Sequence, residues 1–259
     1  KKDVTRGSFM HVNHYKQYSH NLGREMEFLV YGHSGRPIVV FPAQDGRFYD
    51  FYNFGMVDAA ADYINQGKIM LFCVDSIDGE SWSRLGENYE ARIEQHNRWF
   101  KYIVDEAIPK FKQIYGDRTG NYNCKFMTTG CSMGAYHALN FFLRCPDIFD
   151  GVIALSGLYH AGYFFPNYNN GMIYENSPND YMRNMSWNHE FLGKYRNSDI
   201  ILCCGLGRWE EECIKDTGDL KKEFDRLQVP VWIDFWGYDV DHDWPWWKVQ
   251  FPYFLQYVV

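Results

Sequence analysis

Residues 125–156 constrain the architecture of this chain more than any other stretch. An apolar run at 125–129 enters Gly130-Cys131-Ser132-Met133-Gly134, a helical pattern follows over 133–144, and a second apolar run spans 151–156. Two buried strands joined through one helix read as a βαβ unit, which needs a parallel sheet covered by helices. The same alternation recurs on both sides. Upstream, 8–15 and 24–31 predict an antiparallel pair of strands, 37–41 a short buried strand, 56–65 a helix, 68–74 a strand, and 89–108 a long amphipathic helix closed by Pro109. Downstream, 199–204 and 231–236 predict strands, with helices near 219–227 and 246–258. The expected fold class is α/β, a mostly parallel central sheet with helices on both faces. Residues 157–188, after the sixth strand, are rich in Asn, Tyr, Gly and Pro without periodicity. That predicts a loop-rich excursion of the kind that forms lids and binding loops. With no repeat or linker to divide it, the chain is read as a single domain over 1–259.

Composition excludes several classes. Twenty-six Lys and Arg against 33 Asp and Glu leave a net charge of -7, the wrong sign for a protein that gains affinity by neutralising phosphates, so no nucleic-acid partner is expected. The apolar runs fall far short of the roughly 20 residues that cross a bilayer, so no membrane partner is expected either. Residues 1–6 show no apolar targeting segment. Seven cysteines, an odd number, four of them in apolar runs, read as buried free thiols and favour a reducing, cytoplasmic location. A homo-oligomer stays open.

The pentapeptide at 130–134 carries chemistry. Between a strand and a helix, a tight turn lifts a serine above the sheet, and flanking glycines permit the strained backbone. Ser132 then stands at a helix N-terminus, where the backbone N–H of Met133 faces any oxyanion formed on attack. The plain alternative is a Gly-rich turn with Ser132 as helix cap. A serine nucleophile needs a base. Of the nine histidines, only His242 lies on the loop between the last strand and the terminal helix, where the order acid, then histidine, after the serine places it. His137 reads as a packing residue, His160 and His189 as surface residues.

The acid belongs on the loop after 199–204, and the first carboxylate there is Glu210, with Glu211, Asp216 and Asp239 as alternatives; acidic residues entering a helix are also favoured by its dipole alone. A second oxyanion donor is expected from the loop after 37–41, at the backbone N–H of Gln44. Asp239, Asp241 and Asp243 have the 1,3,5 spacing of a calcium loop, but Trp244 and Gln250 occupy its glycine and glutamate positions, so no metal is expected. Gly205-Leu206-Gly207 lacks the third glycine of a dinucleotide fingerprint, and no cofactor is expected. Aromatic residues make up 19% of the chain. Phe48, Trp82, Tyr159 and Trp244 are the expected substrate-binding residues, from a wider set with Tyr49, Tyr163, Phe164, Phe165 and Trp246.

The elbow Gly130-Cys131-Ser132-Met133-Gly134-Ala135-Tyr136-His137-Ala138, Pro146-Asp147-Ile148-Phe149, Ser156-Gly157, Trp209-Glu210 and His242-Asp243-Trp244 with Trp247 together resemble the "Putative esterase" family of α/β-hydrolases. That group includes esterase D, feruloyl and acetylxylan esterases and the mycolyltransferases. The resemblance runs from about 39 to 255. It implies an α/β-hydrolase fold and a Ser132, Glu210, His242 triad hydrolysing carboxylic esters. The chain departs from the pattern in carrying Glu at 210, where many members carry Asp, and in reading Pro42-Ala43 where the third-strand loop usually has His-Gly. The expected activity is a serine carboxylic-ester hydrolase working through an acyl-enzyme on a short-chain or aromatic acyl ester, with a small-molecule or carbohydrate ester as partner. An acyltransferase with the same triad and a non-catalytic binding module on the same fold are the alternatives.

Overall fold

The computed structural model describes residues 10–86 and 88–259. Its strands are β1 (Val12–Ser19), β2 (Arg24–Tyr31), β3 (Arg36–Phe41), β4 (Ile69–Val74), β5 (Phe126–Cys131), β6 (Phe149–Leu155), β7 (Asp199–Cys204) and β8 (Trp232–Phe235). Between β3 and β4 lie the short helices α1 (Asp50–Asn53), α2 (Met56–Ala59) and α3 (Ala61–Asn65). Then come α4 (Tyr89–Lys101), α5 (Ile108–Thr119) and α6 (Met133–Arg144). The last third carries α7 (Gly171–Tyr174), α8 (Pro178–Arg183), α9 (Leu192–Arg196), α10 (Glu211–Arg226) and α11 (Trp244–Leu255).

The strands form one sheet in the order β1-β2-β4-β3-β5-β6-β7-β8. β1 pairs antiparallel with β2, and β2 with β4; every other pair is parallel. Strand alternation divides the core in two. Val39 and Phe41 of β3 and Met70, Phe72 and Val74 of β4 point to the face covered by α4, α5, α6 and α10. Ile38, Val40, Ile69, Leu71 and Cys73 point to the face covered by α2, α3 and α11. A parallel sheet buried on both faces explains why these strands read as continuous apolar runs.

Several boundaries differ from expectation, each for a local reason. The first strand was expected at 8–15; residues 8 and 9 lie outside the described residues, and β1 begins at Val12. As the edge strand, β1 is apolar on neither face and alternates exposed with half-buried positions, so hydrophobicity marks it weakly. Pro109 does not close the fourth helix. A π-helical segment, Tyr102–Ala107, leads into α5, and Pro109 sits in the first turn of α5. The expected helix at 56–65 breaks at Ala60, which ends α2 and starts α3. The helix expected near 219–227 begins at Glu211, directly after the predicted acid.

Residues 157–188 are also more ordered than a loose surface loop. Asn176, buried completely, accepts hydrogen bonds at Oδ1 from His96 Nε2 (3.0 Å), Asn140 Nδ2 (3.0 Å) and Arg144 Nη1 (2.6 Å). Its own amide donates to Asn97 Oδ1 and to the Met172 carbonyl. One side chain thereby ties the excursion to α4 and α6.

Candidate active site

At the C-terminal end of β5 the chain turns straight into α6, and the glycines make that possible. A Cβ on Gly130 would stand 2.3 Å from Gly134 carbonyl atoms, and one on Gly134 would stand 2.4 Å from the Phe41 carbonyl. No side chain larger than hydrogen fits either position. Ser132 between them adopts φ 58°, ψ -121°, outside the regions open to most L-residues, the kind of stored strain that gathers at functional sites. Its side chain caps no N–H of α6. The hydroxyl lies instead 2.9 Å from Nε2 of His242.

His242 stands on the loop between β8 and α11, and its Nδ1 lies 2.7 Å from Oε1 of Glu210. Glu210 is inaccessible to solvent. Its second oxygen accepts hydrogen bonds from Ser156 Oγ at 3.0 Å and from the Gly205 N–H at 2.8 Å. The Ser156 hydroxyl in turn accepts from Trp247 Nε1 at 2.9 Å, and the Trp247 ring meets the imidazole edge to face at 5.0 Å. A carboxylate on Nδ1 holds the proton there and leaves Nε2 as the acceptor for the serine hydroxyl. Burial is tolerable because each carboxylate oxygen is hydrogen-bonded.

Of the four acid candidates, Glu210 is the one that meets the imidazole. Glu211 and Asp239 are exposed, and Asp216 accepts from the Tyr159 N–H and the Tyr163 hydroxyl. Among the described residues, the backbone N–H groups of Met133 and Gln44 have no hydrogen-bond partner. The contact between Gly134 and the Phe41 and Pro42 carbonyls brings the loop after β3 against the elbow, so both free donors belong to one neighbourhood.

The expected substrate residues divide. Trp82 and Tyr159 are fully buried, which corrects their assignment to a binding surface. Trp82 donates to His96 Nδ1 at 2.9 Å and packs among Tyr136, Phe164 and Phe165; the Tyr159 ring covers Gly157. Phe48 is nearly buried and stacks on His14. Trp244, two residues past His242, is half-buried and stacks face to face on the exposed Phe54 ring at 4.4 Å. Sequence reasoning also missed Ser156, Gly205 and Trp247 around the acid. They lie far apart in the chain, and the adjacency of β6 and β7 with α11 packed beside them brings the three together.

Glu210, Cys213 and His242 place possible metal-ligand atoms within 4.8 Å of one another. Two of them are already bonded to each other, and the buried Cys213 thiol donates to the Ser156 carbonyl at 3.4 Å. Burial pushes this thiol far up. Asp243, from the calcium-like spacing, caps α11 by accepting from the Trp244 N–H.

The model of the family described as "Putative esterase" matches residues 19–257. The chain belongs to this family. It is an esterase, and its fold is that of α/β-hydrolases. A solved ferulic acid esterase superposes with a TM-score of 0.73 at 17% identity, covering 97% of this chain and 98% of that one. An S-formylglutathione hydrolase from Staphylococcus aureus gives 0.69 at 17% identity, covering 98% of both chains. A ferulic acid esterase from Anaeromyces mucronatus, solved with ferulic acid, gives 0.70 at 12% identity over 98% of this chain and 93% of that one. No curated protein sequence matches this one. No helix among the described residues is long and apolar enough to cross a membrane.

Proposed function

We propose that this esterase hydrolyses carboxylic esters through a covalent acyl-enzyme on Ser132. The observation that carries the reading is the unbroken hydrogen-bond chain from Ser132 Oγ through both nitrogens of His242 to the buried Glu210. Ser132 Oγ attacks the ester carbonyl while His242 Nε2 takes its proton, and Glu210 stabilises the imidazolium. The tetrahedral oxyanion is held by the N–H groups of Met133 and Gln44. As it collapses, the C–O bond to the alcohol breaks and His242 returns the proton to the departing oxygen. Water, deprotonated by the same imidazole, then attacks the acyl carbonyl; the bond to Ser132 Oγ breaks, His242 returns the proton to Oγ, and the acid leaves.

The substrate class is a short-chain or aromatic acyl ester, with a carbohydrate alcohol fitting the open aromatic surface of Trp244 and Phe54. The ferulic acid esterases among the similar folds point the same way. Phe48, nearly buried and stacked on His14, is left out of this surface. The direct test is turnover of p-nitrophenyl acetate. Wild type should hydrolyse it with or without EDTA, and Ser132→Ala should lose about a millionfold in kcat; equal rates for the two proteins would refute the reading.

A further inference from the structure

The loop that carries the acid, after β7, and the loop that carries the histidine, after β8, are joined along their length. The Leu206 N–H donates to the Gly237 carbonyl at 3.1 Å, the Gly207 N–H to Val240 at 2.9 Å, and the His242 N–H to Arg208 at 3.0 Å. The glycines at 205 and 207 permit this approach. A Cβ on Gly205 would stand 1.9 Å from the Val240 carbonyl oxygen, and one on Gly207 2.3 Å from Asp241 Oδ1. The Gly-x-Gly that no nucleotide explains therefore has a packing reason.

Across the seam, one carboxylate gathers three hydrogen bonds from one residue. Asp241 Oδ1 accepts from the Arg208 backbone N–H at 2.8 Å, and Oδ2 accepts from Arg208 Nε at 3.1 Å and Nη2 at 2.9 Å. The Arg208 side chain is 75% exposed and that of Asp241 21%. Exposed ion pairs add little to global stability, so a three-point grip at this place asks for another role.

The neighbouring residues supply one. Arg208 offers its carbonyl to the His242 N–H, and Glu210, two residues on, offers Oε1 to His242 Nδ1. Both ends of Arg208-Trp209-Glu210 can reach the same histidine only because the chain reverses at Trp209, at φ 62°. A bulky residue adopts that left-handed conformation at a cost, and it persists where its surroundings over-determine it. The hydrogen bonds of Arg208 fasten one side of the strained residue, and those of Glu210 fasten the other.

We propose that Arg208 and Asp241 are positioning residues of the triad, an ion pair that locks the acid loop to the histidine loop and keeps Glu210 within reach of His242. The inference rests on the triad reading above. Neither side chain bonds to a triad side chain, so the pair acts through geometry. Misplacing a reacting group by about 1 Å can cost on the order of a hundredfold in rate.

The test uses the full chain with p-nitrophenyl acetate and a fluorophosphonate probe. Asp241→Ala and Arg208→Met should each lower kcat and the labelling rate of Ser132 by about tenfold to a hundredfold, with KM within about twofold and the thermal midpoint little moved. Asp241→Asn keeps the acceptor for the Arg208 N–H and Arg208→Lys keeps the charge, so both should fall between wild type and the truncations. The double truncation should be no slower than the slower single, because each removes the same contact. Asp225→Ala, which breaks an exposed pair with Lys221 on α10, should run at the wild-type rate. Wild-type kcat in either truncation, an effect on KM alone, or losses that multiply in the double variant would overturn the proposal while leaving the esterase reading standing. A wild type that neither turns over the ester nor takes the probe would instead overturn the triad reading.

Discussion

Ser132 is held in a strained conformation between glycines at which a Cβ would clash, and the same constraint makes it readable: Gly-x-Ser-x-Gly between a strand and a helix is the pattern of a tight turn that lifts a serine above the sheet. His242 is legible as the histidine after the last strand and Glu210 as the first carboxylate beyond β7, and the two side chains lie 2.7 Å apart. The support of Glu210 could not be read, because a hydroxyl at 156, an N–H at 205 and an indole at 247 meet only in space. Two predictions belong at this scale. Glu210→Gln should lower kcat by about ten-thousandfold with the fold intact, as removing the acid does in the serine-protease template, whereas Glu211→Gln should change it less than about twofold; equal effects in kinetic assays would contradict the assignment. Ser156→Ala should cost about tenfold in kcat, since a hydrogen bond to a charged group is worth about 1.5 to 3 kcal/mol. An unchanged kcat would show that the Gly205 N–H alone holds the carboxylate in place.

The elements show where periodicity stops being informative. A helix pattern followed by proline predicts an end, yet the π-helical segment Tyr102–Ala107 resets the register so that Pro109 opens the next helix. The excursion fails as a pattern because polar side chains fasten it, chiefly Asn176. Asn176→Ala strips a shared acceptor from three buried or half-buried donors and should lower unfolding free energy by about 3 kcal/mol; a loss under about 1 kcal/mol in denaturant titration would refute that role. A second fastening depends on pH. The hydrogen bond to Asp180 raises His160 above its ordinary value. Burial raises the Asp180 carboxyl, but hydrogen bonds from His160, Ser177 and Tyr168 outweigh it and hold it at about 2. The histidine's contribution is complete below its ordinary 6.5 and fades as pH rises through the raised value; the carboxylate's is complete above its ordinary 3.8 and fades as pH falls toward about 2. Between those limits the excursion is held most firmly. Hydrogen exchange of the Asn179 amide, which donates to the Tyr159 carbonyl, should show weaker protection at pH 8 than at pH 6, and His160→Gln should abolish the difference. Equal protection at both values in wild type would contradict the mechanism.

Across the whole molecule, the alternation of apolar runs and helical patterns was enough to predict a mostly parallel sheet with two covered faces, because buried strands cannot hide their continuous hydrophobicity; two pairs at one edge, β1 with β2 and β2 with β4, are antiparallel. The strand order β2-β4-β3-β5 was not readable, since alternation says which segments are strands and not which are neighbours. The cysteines behave as a buried hydrophobic set: all seven are free and six are buried. A thiol reagent should therefore react with at most one equivalent in the native protein and seven after unfolding; several reactive native thiols would contradict the packing. What this fold accomplishes is to bring three loops, after β5, β7 and β8, to one point where a serine, a histidine and a buried glutamate align. Intact-protein and peptide mass spectrometry after rapid acid quench of a p-nitrophenyl acetate reaction tests that alignment most directly. A single acetyl group on Ser132 in wild type, and none in Ser132→Ala or His242→Ala, is the predicted result; turnover with no acetylated protein at any quench time, or acetyl on another residue in Ser132→Ala with activity retained, would contradict it.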